Sequence, residues 1–472
     1  MSALTAAPTA APPRSAHRWV ALSILALAQF LIVLDASIVN IALPVLGEQL
    51  HMGTAALAWV ITAYVLAFGG LLLLGGRLAD RYGHRRVFLI GTAGFVAASA
   101  LAGFSSTSEM LLAARALQGV SAALVAPAAL ALLTQLFPDA KERTRALGVW
   151  GGVAGIGSAA GVLLGGVLTA TLGWQSVFFV NVPVGAIVLI AIPLLITRDG
   201  ARSPGRLDAA GAVTVTAALV ALVGAFSAVE QVGFLHPLPA ILLVVALAFG
   251  IVFIAVERRT PEPLVPLTVF RNRDLALGNV VMLLGGAAMV ALFFALSVYM
   301  QAVLGYTPLI TGLSQLPLAG ALVLVAGVVP SLIARAGVRP ALAGSLIVLA
   351  GGLVWLAFAP ADAVFLTQLL GPTLLIGIGL GGAVVAATQL GVDGVAGGES
   401  GLAGGLINTS QQIGGAIGLA VLGTVAALRT AALEADGAAV ADAVTGGFAW
   451  LFVGAAVLAF VGAVAVAVWP RR

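Results

Sequence analysis

A single carboxylate stands in the middle of the apolar stretch FLIVLDASIVNIALP, residues Phe30–Pro44. An ionised carboxylate is costly in lipid, so acidic residues within membrane helices face the protein interior and tend to mark ion pathways. Because burial disfavours the charged form, such a group can gain and lose a proton as its surroundings change. We therefore predict that this residue, Asp35, carries protons. The alternative is a structural hydrogen bond between helices.

A second charge, Arg115, stands inside another apolar run, residues 109–136. Its depth in the helix could bring its long side chain near Asp35. A positive neighbour favours the ionised acid whereas burial opposes it, so the two effects compete. Two structural alternatives are open: a plain ion pair, or an arginine whose charged end reaches back to the membrane surface.

Polar side chains within other apolar runs are candidates to line a central cavity, although each could equally form a hydrogen bond between packed helices. These candidates are Asn40, Tyr64, Gln118, Tyr299, Gln301, Asn408, Gln411 and Gln412. Aromatic residues make up only 7% of the chain, so we expect a mainly aliphatic lining. Such a lining suits lipophilic compounds better than sugars, whose hydroxyl groups need many polar partners.

The sequence contains no G-x-x-x-x-G-K-[ST] phosphate-binding loop, no H-E-x-x-H zinc motif and no cysteine. Its four histidines, His17, His51, His84 and His236, fall in the N-terminal tail or in loops and do not form a metal-binding set. We therefore expect neither an enzyme nor a metal or cofactor site.

The composition places these residues in a membrane protein. Hydrophobic residues make up 61% of the 472 positions and charged residues only 8%, whereas a soluble domain carries roughly 25% charged residues. Such a chain cannot cover a water-facing surface, so we expect it to lie in a lipid bilayer. The excess of basic residues then reflects membrane topology, and we expect no nucleic-acid partner.

Fourteen apolar runs are long enough to cross a bilayer, which takes about 20 residues per helix. They cover residues 19–46, 55–77, 87–106, 109–136, 144–171, 177–197, 209–229, 237–257, 276–303, 308–334, 340–359, 363–389, 400–428 and 446–469. Residues 1–18 before them predict a disordered cytoplasmic tail. The first run is too long for the core of a signal peptide, so we expect a retained helix.

The basic residues determine the orientation of these spans. With the N-terminus inside, 20 of the 22 Arg and Lys residues fall on the cytoplasmic side, and the outer loops hold only Arg429. Basic residues are enriched in cytoplasmic loops. The sequence therefore predicts that both termini lie inside the cell, in the cytoplasmic membrane.

An internal repeat divides the chain into two halves. The segment LADRYGHRR, Leu78–Arg86, is similar to LIARAGVRP, Leu332–Pro340, at a constant offset of 254 residues. The sequence therefore predicts a six-helix half over residues 19–197 and a second over 276–472. The segment between them, residues 198–275, would be a linker with two accessory helices.

The chain resembles the fourteen-helix drug:proton antiporter branch of the major facilitator superfamily. The segments that carry the resemblance are LDASIVNIALP, GGRLADRYGHRR, RALQGVSAA, GWQSVFFVNVPVG, YMQAVLGYTPLITGL and GLINTSQQIGGAIGLAVLG, which occur in the family's order. One departure lies in the fifth span, where GVLLGG has Val162 in place of the proline of the antiporter motif G-P-x-x-G-G. Gly157, Gly161 and Gly165 still place small residues on one helix face there, so we expect close packing without the proline kink.

The resemblance implies functions for two groups of residues. It implies that Arg115, the arginine of the fourth-helix motif, takes part in proton coupling with Asp35. It also implies that Asp80 docks at the N-terminus of the thirteenth span and steadies the outward-facing state, as part of a cytoplasmic latch. The latch residues are Gly76, Asp80, Arg81, Gly83 and Arg85.

Together these observations predict an all-α polytopic membrane protein of the major facilitator fold. We expect a proton-coupled antiporter that exports small lipophilic neutral or monocationic compounds by alternating access. It would be driven by the proton gradient without a cofactor, and it would be a monomer. The alternative is a metabolite or amino-acid transporter of the same fold.

Overall fold

The computed structural model describes residues 15–196, 208–393 and 400–470, and within them every regular element is a helix. The helices are α1 Ser15–Gln49, α2 Thr54–Tyr82, α3 His84–Gly103, α4 Ser108–Leu136, α5 Ala140–Leu172, α6 Ser176–Phe179, α7 Asn181–Leu195, α8 Ala209–Val232, α9 Pro237–Arg259, α10 Arg273–Val298, α11 Pro308–Ala336, α12 Val338–Ala357, α13 Leu370–Asp393, α14 Ser400–Ala435 and α15 Val440–Val468. Thirteen described segments are long and apolar enough to cross a membrane, and a shorter apolar helix, Ile156–Leu172, forms part of α5. The prediction of an all-α polytopic protein is therefore confirmed.

Several boundaries differ from the predicted spans. The first helix begins at Ser15, inside the segment predicted as a disordered tail, and residues 1–14 lie outside the described residues. The sixth span is divided into α6 and α7, with Val180 between them. The helix α14 continues to Ala435, beyond the predicted end at 428. Hydrophobicity marks only the part of a helix that lies in lipid, so it does not reveal such extensions.

The two halves repeat one packing pattern. In the first half α1 packs on α5 and α7, and α4 packs on α2 and α3; in the second half α10 packs on α14 and α15, and α13 packs on α11 and α12. The repeated loops are alike in their backbone. Gly83, between α2 and α3, has a φ of 99°, and Gly337, between α11 and α12, has a φ of 89°. Both values favour glycine, which explains why the repeat keeps a glycine at this position.

The halves meet along two helix pairs, α5 with α11 and α2 with α14. The contacts are close because small residues lie at both crossings. A Cβ atom added to Gly312 of α11 would lie 2.6 Å from the Val162 backbone oxygen of α5, and one added to Gly69 of α2 would lie 2.7 Å from the Gln412 Cβ of α14. Small residues allow membrane helices to approach closely.

The accessory helices α8 and α9 form a hairpin at the side of the bundle. The helix α8 packs on α2, α14 and α9, whereas α9 packs mainly on α8. The exposed apolar side chains of α9, such as Leu243, Leu247 and Ile251, face away from the bundle and suit contact with lipid.

Candidate functional site: a central cavity beside a buried ion pair

A cavity of about 1220 Å³ lies between the two halves. Its lining comes from helices of both halves, including α1, α2, α4 and α5 on one side and α10, α11, α13 and α14 on the other. The walls are mostly apolar, with a few amide and hydroxyl groups. Such a cavity, large, mainly apolar and with few polar groups, is typical of binding sites for small organic molecules.

The cavity extends to the cytoplasmic ends of the helices. Its lining includes Asp80 and His84 at the loop between α2 and α3, and Leu402 at the start of α14. At the outer end the halves are in contact, where Gln301 donates a hydrogen bond to the Ile41 oxygen over 3.0 Å. The structure is therefore an inward-facing conformation.

Five of the eight cavity candidates line this cavity: Asn40, Tyr64, Asn408, Gln411 and Gln412. The other three do not, because their side chains are engaged elsewhere. Gln118 is fully buried against Asp35. Tyr299 donates to the Pro360 oxygen over 2.6 Å, and Gln301 bridges the halves at the closed outer end. Gln29, Ser37 and Ser158 also line the cavity and were missed, because a lone polar residue in an apolar run gives no sign of which way it faces.

The Asp35 carboxylate is fully buried and accepts hydrogen bonds from three side chains. Arg115 Nη1 lies 2.6 Å from Oδ2, whereas Oδ1 accepts from Gln118 Nε2 over 2.9 Å and from Asn181 Nδ2 over 2.7 Å. Arg115 is held in turn by the Val60 oxygen, 2.9 Å from its Nε. These contacts join α1, α2, α4 and α7. Both charges are compensated, which is the condition for keeping an ion pair away from water.

Two members of this cluster were missed in the sequence. Asn181 stands at the start of α7, and Ser99 of α3 accepts a hydrogen bond from Gln118 over 2.8 Å. Both side chains are fully buried. An asparagine or a serine in an apolar run is usually a packing residue. Only the arrangement of α1, α3, α4 and α7 around one point reveals their contact with the acid.

The ring of Tyr64 separates the ion pair from the cavity. The Arg115 guanidinium lies 4.4 Å from its centroid, a distance that allows a cation–π interaction. Tyr64 lines the cavity, as do Ile32 and Ala36 on either side of Asp35 along α1. Neither Asp35 nor Arg115 is part of the cavity wall, although only one layer of side chains lies between.

The predicted latch residues lie at the cytoplasmic mouth. Asp80 Oδ1 is 3.0 Å from His84 Nε2, and the Asp80 side chain is 58% exposed. Arg81 lies over the Tyr82 ring, and Arg85 donates to the Pro193 oxygen over 3.3 Å. Residues 394–399, which precede the thirteenth span, lie outside the described residues, so the expected docking of Asp80 at the N-terminus of that helix stays a prediction.

The predicted glycines of the latch and of the fifth helix lie at close contacts or at a turn. Gly83 takes the positive φ of the turn, and Gly76 faces Pro127, which would lie 3.7 Å from an added Cβ. Gly157, Gly161 and Gly165 all face α1: an added Cβ would lie 3.3 Å from the Phe30 oxygen, 2.6 Å from the Ser37 Cβ and 2.8 Å from the Ile38 oxygen, respectively. The fifth helix therefore packs closely on the helix that carries Asp35.

The chain is similar to several curated proteins over most of its length. It is 41% identical over 423 residues to a puromycin resistance protein of Streptomyces alboniger, covering 89% of this chain and 84% of that protein. It is 41% identical over 414 residues to a cephamycin export protein of Amycolatopsis lactamdurans, covering 87% and 85%. It is 35% identical over 411 residues to the multidrug resistance protein Stp of Mycobacterium tuberculosis, covering 86% and 75%.

Its fold is similar to that of a solved transporter. The crystal structure of an auto-inhibited peptide transporter of the POT family superposes with a TM-score of 0.66 at 16% identity, over 96% of this chain and 97% of that one. The family profile described as Major Facilitator Superfamily matches residues 25–419. With the paired halves and the central cavity, these matches show that the chain belongs to the major facilitator superfamily and is a membrane transporter, not an enzyme.

Proposed function

We propose that this transporter exports small lipophilic compounds, neutral or singly charged, in exchange for protons. The observation that carries the proposal is the buried Asp35–Arg115 pair, one layer of side chains from a mostly apolar cavity that opens to the cytoplasm. The relatives named for puromycin resistance, cephamycin export and multidrug resistance support the direction of transport and the kind of compound.

The ion pair gives protons and substrate a way to alternate. When Asp35 is ionised, Arg115 pairs with it and the bundle of α1, α3, α4 and α7 is held together. Protonation of Asp35 removes its charge and weakens that pair, which frees the arginine to change partners. Inward-facing with the pair formed, the protein is in the state expected after proton release and before substrate binding.

Alternating access then follows from the two-half architecture. The halves can rock about the central cavity and expose it to one side at a time. A proton entering from outside would neutralise Asp35 and favour return to the inward-facing state. Release of that proton inside would restore the pair and allow the next substrate to bind. The proton gradient supplies the driving force, with no cofactor, and a single chain contains both halves, so a monomer suffices.

The proposal is tested by drug susceptibility and by vesicle transport. Cells that express the protein should resist a subset of a panel of lipophilic antibiotics, and cells that express Asp35→Asn at equal level should not. Inverted membrane vesicles should take up a compound identified in this way only while a proton gradient is present. Uptake that persists after a protonophore collapses the gradient would refute proton coupling while leaving export intact.

A further inference from the structure

Two acidic side chains at the cytoplasmic end of the accessory hairpin have no part in the proposed transport cycle. Asp208 is the N-cap residue of α8 and is 5% exposed, and Glu257 lies in the last turn of α9 and is 4% exposed. Burying an ionised carboxylate is costly unless the charge is paired. Among the described residues neither carboxylate forms an ion pair with an arginine or a lysine.

Backbone amides satisfy three of the four carboxyl oxygens. Asp208 Oδ1 accepts from the Gly211 nitrogen over 2.7 Å, and Oδ2 accepts from the Leu264 nitrogen over 3.3 Å. Glu257 Oε2 accepts from the Val265 nitrogen over 2.9 Å. The fourth oxygen, Glu257 Oε1, is buried without a hydrogen-bond partner. An unsatisfied buried oxygen of this kind indicates a missing hydrogen-bond donor.

The unsatisfied oxygen faces the other carboxylate. A Cβ added to Gly211 would lie 2.5 Å from Asp208 Oδ2 and 2.6 Å from Glu257 Oε1, so both oxygens converge on the same small residue. Both oxygens are acceptors, and two like charges in one buried site cannot both be ionised without a large cost. One proton on Glu257 Oε1, donated to Asp208 Oδ2, would give all four oxygens a partner.

We propose that Asp208 and Glu257 form a second proton-binding site, separate from Asp35, which takes one proton from the cytoplasm and shares it between the two carboxyl groups. The proton adds to Glu257 Oε1 as the acid, and Asp208 stays ionised as the hydrogen-bond acceptor. The proposal goes beyond the export function and does not depend on it.

The site controls a segment that joins the two halves, residues 260–266, which we call the strap. Within the strap, the Pro263 oxygen accepts a hydrogen bond from Arg77 of α2 over 3.0 Å. Leu264 lines the cavity, and Val265 packs against the apolar core of the second half. Because Asp208 and Glu257 hold the amides of Leu264 and Val265, the shared proton keeps the strap in place at the cytoplasmic mouth. Loss of that proton leaves two adjacent carboxylates that repel, and the strap loosens.

Few charged groups of the described residues lie near the pair, and residues 197–207, just before Asp208, lie outside them. On α9 itself, Arg258 and Arg259 follow Glu257 and are exposed, and in the strap Glu262 is exposed. The charges at the cytoplasmic end of α2 are Arg77, Asp80 and Arg81, of which Arg77 bonds to the strap. The described charges of α14, Arg429 and Glu434, lie at its opposite end. Among the described residues, the electrostatic balance of the site therefore depends mainly on the two carboxyl groups themselves.

The test uses the absence of cysteine from the sequence. Leu264→Cys places one thiol at a strap position whose native side chain is 2% exposed, and Pro261→Cys places one at an exposed strap position as the reference. Both are labelled with a membrane-impermeant maleimide in inverted vesicles from about pH 6 to about pH 9, where a carboxyl pair sharing one proton would lose it. The ratio of the two labelling rates cancels the ionisation of the thiol itself.

We expect this ratio to rise at least about tenfold with pH. The reason is that the deprotonated fraction of the pair changes about tenfold for each pH unit below its titration midpoint. In the Leu264→Cys background, Glu257→Gln should give a low and constant ratio, because its amide donates to Asp208 while its oxygen accepts from Val265. Asp208→Asn is used if Glu257→Gln does not fold: it replaces the acceptor of the Leu264 amide with a donor, so its ratio should be high and independent of pH. Asp35→Asn should leave the rise unchanged. A labelling ratio independent of pH in the otherwise native chain, or a rise that persists in Glu257→Gln, would contradict the proposed site. A rise that is lost in Asp35→Asn would also contradict it, because the labelling would then follow the transport cycle.

Discussion

Arg115 Nη1 lies 2.6 Å from Asp35 Oδ2, and the two side chains are 1% and 0% exposed. Neither side chain is accessible to solvent in this conformation, and the Tyr64 ring stands between the pair and the cavity. Under the proposed exchange, a proton would reach Asp35 only if Tyr64 or a flanking helix moved. This requirement would couple protonation to a change of conformation and so prevent a leak of protons.

Asp35→Asn should abolish proton-driven export per molecule of folded protein, and it should also lower stability because it leaves the buried Arg115 charge uncompensated. The amide has the shape of the acid and can still accept from Gln118 or Asn181, but it cannot carry a proton. The measurement is uptake by inverted vesicles under an imposed proton gradient. Exchange of labelled for unlabelled substrate without a gradient is the control, since it should survive. Full gradient-driven uptake by the variant would contradict the role of Asp35.

Arg115→Gln should destabilise the protein more than Arg115→Gln combined with Asp35→Asn. Removing one partner of a buried ion pair leaves an uncompensated charge and costs about 3–5 kcal/mol, whereas removing both charges avoids that penalty. Thermal unfolding of the purified protein in detergent measures the difference. The double variant should regain stability without regaining transport. A double variant destabilised by the sum of the losses in Arg115→Gln and Asp35→Asn would mean that the pair has no energetic coupling.

Part of this cluster could be predicted from the sequence, and part could not. An isolated Asp35 or Arg115 in an apolar run is conspicuous because charge is costly there. Ser99 and Asn181 cost little and are common in membrane helices, so nothing marked them. Gln118 was placed in the cavity because a polar residue on α4 faces either the cavity or Asp35, and a lone residue does not decide between them.

The fold followed from the sequence more completely than the site did. The lengths of the apolar runs predicted the number of spans, and the distribution of arginine predicted their orientation. The repeated glycine-containing loop predicted two similar halves. The burial of Glu257 could not be predicted, since a carboxylate at the end of a helix ordinarily contacts water. The accessory hairpin and the strap bury it together with Asp208, and that contact spans 49 residues of sequence.

Gly161→Ala should destabilise the protein, whereas Gly148→Ala on the same helix should not. The new Cβ at Gly161 would lie 2.6 Å from Ser37 Cβ and 3.0 Å from the Leu34 oxygen, so α5 must move away from α1. Overpacking of this kind costs about 1–3 kcal/mol. At Gly148 nothing lies within 4 Å, and alanine favours the helix by about 1 kcal/mol. Thermal unfolding of the two variants should shift in opposite directions, and a shift of the same sign would contradict the close α1–α5 contact.

Asp80→Asn should slow transport without weakening substrate binding. Asp80 lies at the cytoplasmic mouth, where His84 Nε2 is 3.0 Å from its Oδ1, and we expect the latch contact with α14 to form in the outward-facing state. The measurement is the maximal rate of uptake by reconstituted vesicles beside equilibrium binding of substrate. The matched control is His84→Gln, which keeps a donor near Asp80 and should change the rate little. An unchanged maximal rate in Asp80→Asn would contradict the proposed role of Asp80 in a latch.

The last prediction concerns the charge of the transported compound. Among the described lining residues the charged groups are Arg77, Asp80 and His84, and all three lie at the cytoplasmic mouth. Deeper in the cavity the described lining residues offer amides, such as those of Asn40 and Gln412, and hydroxyls, such as those of Ser37 and Ser158, and none of them is a carboxylate. A buried dication would need at least two negative partners, since unpaired charges in an apolar site are costly. Asp35 could supply one at most, and Arg115 already neutralises it.

We therefore expect neutral or singly charged compounds to be exported and dications to be exported weakly or not at all. The measurement is the resistance of a sensitive host to matched monocationic and dicationic biocides, with and without the protein. Asp35→Asn should reduce protection against the monocation through loss of proton coupling. Equal protection against both members of each pair, lost in Asp35→Asn, would contradict the expectation. It would mean that Arg115 releases Asp35 to the cavity and that one carboxylate is enough to hold a dication.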